Sequence, residues 1–222
     1  MALDLEILLD HIVSSGFSML PREVIAHFGD CIQTVEAENI PGDIIETGIW
    51  RGGACIYAYH TLRNLGSNRT LFACDSFQGL PKPNTERFPD DEGDPHWKLP
   101  LFIVSEDQVK KNFERFAPID PKTLRLVPGW FCDTLPDLDI DPIAVMRLDG
   151  DMYESTFIAL QSLYPKLSPG GFCIIDDFGH ARARKAALDY RALHSITEPI
   201  MPIEHPGPYP HSFWRKSKPY SP

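Results

Sequence analysis

Apolar residues recur along this chain with two different spacings. Residues 3–16 and 21–38 carry them three or four positions apart, which predicts two helices separated at "SSGFSMLP". Short continuous apolar runs that end at glycine or an acid predict buried strands. These runs are "GDIIETG" (42–48), "TLFACDSF" (70–77), "TLRLVPG" (123–129), "IAVMRLD" (143–149) and "GGFCIID" (170–176).

Helical patterns lie between the predicted strands, at "GGACIYAYHTLRNLG", 105–116, 153–166 and 180–194. Strands that alternate with helices pair in parallel, so the pattern predicts an α/β three-layer sandwich. The closing stretch "PIMPIEHPGPYPHSFWRK" predicts an antiparallel hairpin at the sheet edge. We expect one domain over 1–222, with N-terminal helices in 1–40 and the core in 41–217.

One long segment, 78–103, has no regular pattern. A loop of that length in a compact domain is usually a functional lid or disordered. Its three aromatic residues favour a lid that packs against the rest of the protein.

The charge balance narrows the classes of partner. The 222 residues carry a formal net charge of −10, so a basic surface for nucleic acid or anionic membrane is not expected. The five cysteines form no CxxC pair, which predicts reduced, mostly buried thiols. The acidic start "MALDLEILLD" does not resemble a signal peptide, and no apolar run is long enough to cross a bilayer. We therefore predict a cytoplasmic protein.

A glycine-rich stretch, "ETGIWRGGA", follows the first predicted strand and leads into a helix. Its spacing matches neither the dinucleotide fingerprint nor a phosphate-binding loop, and alone it is equally typical of a plain turn. Asp75 ends the second strand, where α/β sheets often present an acid to ribose hydroxyls, although a helix cap is as good an interpretation. Together with Glu46 at the first strand end, Asp75 suits a cationic nucleoside, and S-adenosylmethionine fits that description.

Four carboxylates follow the last two parallel strands. Asp149 and Asp151 occur in "RLDGD", and Asp176 and Asp177 occur in "IIDDFG". The carboxyl ends of parallel strands meet at one sheet edge, so these groups should converge and repel one another. A divalent cation would relieve the repulsion, and an all-oxygen ligand set favours Mg²⁺, with Mn²⁺ as a substitute. The alternative is a set of exposed acids that cap helices, Asp177 above all.

At this point the sequence resembles the macrocin O-methyltransferase family. The resemblance rests on "PGDIIETGIWRGGACI", "DSFQGLPKP", "VPGWFCDTLP", "RLDGDMYEST", "LYPKLSPGGFCIIDDFG" and the final "FWRK". It implies a Rossmann-like class I methyltransferase fold, metal ligands at Asp149, Asp176 and Asp177, and a general base at Asp151. It further implies cofactor contacts at Glu46, Thr47, Gly48, Gly52, Asp75, Ser76, Gly129, Trp130, Phe131 and Asp149.

The resemblance also implies a reaction. S-adenosylmethionine would donate its methyl group to a sugar hydroxyl of a glycosylated natural product, with Mg²⁺ or Mn²⁺ bound by a vicinal diol of the acceptor. Residues 1–40 would cover the substrate, and the enzyme would form a dimer or a higher homo-oligomer. A catechol-type phenol is the nearest alternative acceptor. A metal-dependent phosphohydrolase and a non-enzymatic binding module are further alternatives. His180 faces either the acceptor or solvent, and His205 and His211 flank a proline-rich turn, where we expect solvent exposure.

Overall fold

The computed structural model describes residues 3–217 and contains one seven-stranded sheet. Its strands are β1 (Asp43–Thr47), β2 (Leu71–Asp75), β3 (Leu124–Pro128), β4 (Ile143–Leu148), β5 (Leu167–Ile175), β6 (Met201–Ile203) and β7 (His211–Arg215). Its helices are α1 (Leu5–Ser14), α2 (Arg22–Ala37), α3 (Gly53–Asn64), α4 (Glu106–Glu114), α5 (Phe131–Thr134), α6 (Tyr153–Leu163) and α7 (Ala181–Leu193).

The strand order is β3-β2-β1-β4-β5-β7-β6. The first five strands are parallel, and β7 pairs antiparallel with both β5 and β6. The predicted α/β fold with an antiparallel C-terminal edge is therefore confirmed. The order also places β1 directly beside β4, which joins two parts of the chain that are far apart in sequence.

Alternate residues of each central strand supply the two halves of the core. Ile44 packs with α1, α2 and α3 on one face of the sheet, whereas Ile45 packs with α6 and α7 on the other. This alternation follows from the two-residue repeat of a strand. The N-terminal helices are thus one outer layer of the sandwich, and the connector between them is the part that reaches the cleft described below.

Residues 78–103 form three short 3-10 turns that are held against the body of the protein. The buried Asp91 side chain accepts the first two backbone N–H groups of α6 at 2.8 Å each. The Trp50 indole N–H donates to the Leu101 carbonyl at 2.8 Å. These contacts hold the segment against the body of the protein.

Four of the five cysteines are buried, Cys132 is exposed, and all five are free thiols, as predicted. Within residues 3–217, no helix combines the length and the apolar character needed to cross a bilayer.

Candidate active site

A cleft of about 480 Å³ opens at the carboxyl edge of the parallel strands. Its walls come from the loops after β1, β2, β3, β4 and β5, which meet there because all five strands run in one direction. Two further segments also line the cleft, the connector 18–21 between α1 and α2 and the turn 205–211 before and into β7. The volume suits a small-molecule ligand.

Arg147 in β4 is the cation beneath this cleft, and it is only 1% exposed. Its guanidinium contacts the Glu46 carboxylate of β1 and lies 3.1 Å from Asp149 Oδ2. It also lies 2.5 Å from Asp176 Oδ1, beyond β5. Arginine suits this place because its planar group can serve several carboxylates at once and keeps its charge when buried. Part of the charge conflict predicted from the sequence is thus relieved within the protein itself.

Three residues form an acidic cluster in the cleft, Asp149, Asp176 and Asp177. Each brings one carboxylate oxygen to within 4.8 Å of the others. Burial, followed by the charges of Asp176 and Asp177, raises the pKa of Asp149 well above its usual range, although Arg147 opposes the shift. Burial and the neighbouring acids Asp151 and Asp176 likewise raise the pKa of Asp177. For Asp176, burial acts in the same direction, but Arg147 and His211 outweigh it and lower the pKa. The unrelieved negative charge is therefore concentrated on Asp149 and Asp177.

Asp151 lies beside this group in a backbone conformation that few residues adopt. Its φ of +58° is in the left-handed region, and its N–H donates to Asp177 Oδ2 at 2.8 Å. Its Oδ1 lies 3.7 Å from His180 Nδ1, so His180 faces the cleft and contacts the acidic cluster. Burial raises the pKa of Asp151, although His180 and His96 oppose the shift. A carboxylate with a raised pKa is a better proton acceptor.

Asp75 braces the glycine-rich loop at the other end of the cleft. Its carboxylate accepts the backbone N–H groups of Ile49 at 2.9 Å, Trp50 at 3.2 Å and Phe77 at 2.7 Å. An ionised carboxylate offers about four acceptor positions, which leaves room for a ligand hydroxyl. Burial nevertheless raises the pKa of Asp75, with the three backbone contacts opposing it.

Gly48 directly follows β1 and lies beside the loop after β4. Its φ is +81°, and a Cβ atom there would lie 1.6 Å from the Asp149 carbonyl oxygen. Glycine is therefore required for Asp149 to approach the glycine-rich loop this closely.

Most of the residues predicted for the site line the cleft. They are Glu46, Gly48, Asp75, Ser76, Trp130, Phe131, Asp149, Asp151, Asp176 and Asp177. Thr47, Gly52 and Gly129 are not among the lining residues. Thr47 follows Glu46 in β1, so its side chain lies on the opposite face of the sheet. Gly52 is the N-cap of α3 and lies against the Phe113 ring, and Gly129 donates its N–H to the Asp75 carbonyl.

Two parts of the site were missed from the sequence. The expectation that His205 and His211 are solvent-exposed is wrong for His211, which is buried with its Nδ1 2.9 Å from Asp176 Oδ1. Arg147 was also missed, although a charged residue inside an otherwise apolar strand was a visible signal. The connector 18–21, which lines the cleft, belongs to the N-terminal residues 1–40 that were expected to cover the substrate.

Comparison with known proteins identifies the family. The macrocin-O-methyltransferase (TylF) family matches residues 9–216, nearly the whole chain. The chain belongs to this family. It is therefore an O-methyltransferase, and the resemblance drawn from its motifs is confirmed.

Relatives from two Streptomyces species and one solved structure match this O-methyltransferase over most of its length. The 8-demethyl-8-(2,3-dimethoxy-alpha-L-rhamnosyl)-tetracenomycin-C 4'-O-methyltransferase of Streptomyces olivaceus is 44% identical over 187 residues, covering 83% of this chain and 70% of the relative. The demethyldecarbamoylnovobiocin O-methyltransferase of Streptomyces niveus is 38% identical over 208 residues, covering 92% and 78%. The solved structure of the O-methyltransferase NovP superposes with a TM-score of 0.89 at 31% identity, covering 96% of this chain and 98% of NovP.

Proposed function

We propose that this chain is an S-adenosylmethionine- and divalent-metal-dependent O-methyltransferase that methylates a sugar hydroxyl of a glycosylated natural product. The observation that carries the proposal is the convergence of Asp149, Asp176 and Asp177 in the same cleft as the glycine-rich loop. Membership of the family supplies the reaction class.

The carboxylates suit a hard divalent cation. All three offer oxygen, which Mg²⁺ and Mn²⁺ prefer, and the raised pKa values of Asp149 and Asp177 mark negative charge that a cation would stabilise. Asp149, Asp176 and Asp177 would hold the ion. When bound, it would lower the pKa of a coordinated hydroxyl and orient it.

The other end of the cleft suits S-adenosylmethionine, which supplies an electrophilic methyl group. Gly48 lets the loop after β1 lie directly against the Asp149 backbone, and Asp75 has acceptor capacity left for a ribose hydroxyl. Trp130 and Phe131 offer aromatic surface for an adenine ring. The acidic surroundings favour a sulfonium cation, because opposite charges attract strongly where water is scarce.

Asp151 would take the proton from the acceptor hydroxyl. It lines the cleft next to Asp177 and has a raised pKa. His180, at 3.7 Å from the Asp151 carboxylate, would orient that carboxylate and stabilise its charge. The remaining task of the protein is alignment of the acceptor oxygen with the methyl group.

The lining of the cleft argues for a neutral acceptor. None of the described residues that line it is lysine or arginine, so a phosphate ester or the diphosphate of a nucleotide sugar would find no cationic side chain beside the proposed metal ion. This weakens the phosphohydrolase alternative. Two relatives act, by their names, on a rhamnosyl-tetracenomycin and on a novobiocin precursor. A glycoside with a vicinal diol fits these observations better than a free catechol.

The test is a methylation assay with metal-stripped enzyme, S-adenosylmethionine and two acceptor panels, glycosides with vicinal diols and simple catechols. We expect a product heavier by one methylene unit from a glycoside, only after Mg²⁺ or Mn²⁺ is added back. Equal turnover with and without EDTA would refute the metal requirement. Preferential methylation of catechols would refute the sugar acceptor.

A further inference from the structure

His211 is the first residue of β7 and lies at the metal-binding edge of the sheet. The antiparallel register pairs Phe172 with Arg215 and Ile175 with Ser212, so the next pair is Asp176 with His211. A parallel strand brings its last residue to this edge, whereas an antiparallel strand brings its first. The start of β7, near the C-terminus, therefore places the His211 imidazole against the Asp176 carboxylate of the acidic cluster.

The contact between these two residues is buried and short. His211 is 7% exposed, Asp176 is 4% exposed, and His211 Nδ1 lies 2.9 Å from Asp176 Oδ1. Since a carboxylate accepts hydrogen bonds, Nδ1 carries the hydrogen and donates it. Arg147 contacts the same oxygen at 2.5 Å, so both protein partners act on Oδ1 and the second oxygen of Asp176 is available for a cation.

The residues just before His211 form a wall of the cleft. His205, Gly207, Pro208, Tyr209 and Pro210 all line it. The Tyr209 ring packs on His180 with 5.8 Å between ring centroids, and the His205 ring lies 4.8 Å from His211. Gly179 comes so close to Pro210 that a Cβ atom there would lie 3.0 Å from the proline ring. The turn is thus packed on the loop that carries Asp176 and Asp177.

We propose that His211 is a positioning residue for the metal site, one that fixes the Asp176 carboxylate and couples the turn 205–210 to the bound ion. The inference rests on the proposed function, since it assumes that Asp176 binds a divalent cation. Partners that orient metal-ligating side chains affect metal affinity by about 10- to 100-fold when they are removed. Loss of the imidazole should therefore weaken metal binding and acceptor binding together, while S-adenosylmethionine binding at the far end stays unchanged.

The experiment measures Mn²⁺ binding to the full chain by electron paramagnetic resonance, without substrate. The variants are His211→Leu, which removes the donor, and His211→Asn, whose amide N–H₂ takes nearly the position of Nδ1. His211→Gln places its donor one carbon further out. The matched control is His60→Leu, which removes a buried imidazole of α3 that does not line the cleft. Calorimetric binding of S-adenosylmethionine confirms that each variant is folded.

We expect a rise of about 10- to 100-fold in the Mn²⁺ dissociation constant for His211→Leu, and a parallel rise in acceptor KM. His211→Asn should recover most of the affinity, His211→Gln should not, and His60→Leu should match the wild type. If His211→Leu does not fold, the contrast between Asn and Gln decides the question.

Wild-type affinity in His211→Leu, or equal weakness of the Asn and Gln variants, would overturn the positioning role. Absence of Mn²⁺ binding in the wild type itself would instead refute the metal-dependent function on which the inference rests. The two failures are thereby distinguishable.

Discussion

Arg147→Met is the substitution that most directly tests how the acidic cluster is held together. Methionine retains much of the side-chain volume and removes the charge. Among residues 3–217, Glu46, 2% exposed, then retains only the Cys55 thiol as a hydrogen-bond donor, and Asp176, 4% exposed, retains only His211. Both carboxylates lose their counter-ion in a buried place.

The expected loss of stability is large. Removal of one member of a buried ion pair costs about 3–5 kcal/mol, because the remaining charge stays desolvated. Arg147 serves two buried carboxylates, so we expect the upper end of that range, about 5 kcal/mol, out of a typical total of about 5–15 kcal/mol. Without Arg147, the raised pKa of Glu46 should rise further and the lowered pKa of Asp176 should rise too, because burial is then less opposed. Protonation at low pH therefore relieves part of the unfavourable charge. The variant should therefore lose more stability at pH 8 than at pH 5.

Urea unfolding followed by circular dichroism in metal-free buffer measures this loss by linear extrapolation. Lys110→Met is the control, since its ion pair with Glu106 is an exposed i,i+4 contact and should matter little. The double variant Arg147→Met with Glu46→Gln should recover part of the loss, because the glutamine carries no charge. A loss below about 1 kcal/mol for Arg147→Met would refute the view that this guanidinium neutralises the cluster.

Three further predictions concern separate residues. Asp149→Asn should lose activity that excess Mg²⁺ partly restores, whereas Asp151→Asn should lose about 10²–10⁴-fold in kcat with no rescue, since the missing function is proton transfer. Asparagine tolerates the left-handed backbone conformation of Asp151, so this variant should fold. Rescue of both variants by Mg²⁺ would make Asp151 a metal ligand. Asp75→Asn should weaken S-adenosylmethionine binding about tenfold or more, since a charged hydrogen bond contributes about 1.5–3 kcal/mol. Calorimetry measures this affinity, and an unchanged value would remove Asp75 from the cofactor site. Burial lowers the pKa of His60 from 6.5 to about 4, so the unfolded chain takes up a proton that the folded chain resists, and stability should fall as the pH drops from about 6.5 towards 4. His60→Gln should reduce the drop in urea midpoint between pH 7 and pH 5, and an equal drop in both proteins would contradict this assignment.

The sequence by itself was sufficient to predict the layers of the fold and the acidic edge of its sheet. Alternating strands and helices favour parallel pairing, and parallel strands present their carboxyl ends together, so Asp149 and Asp176 were expected at the same edge of the sheet once both strands were recognised. The need for glycine at position 48 could also be inferred, because a glycine directly after a strand indicates a close approach of the backbone to another group. These inferences depend only on local periodicity and on the direction of the chain.

The tertiary structure alone decided which partners hold the acids in place. The pairing of β1 with β4 brings Glu46 to Arg147 across 101 positions of the chain, a contact that no local pattern reveals. The antiparallel pairing of β7 with β5 brings His211 to Asp176, although the prolines near His211 predicted an exposed turn. The physical reason is that burial and charge pairing depend on which strands become neighbours. Periodicity predicts the elements, but the order of the strands is set by packing over the whole chain.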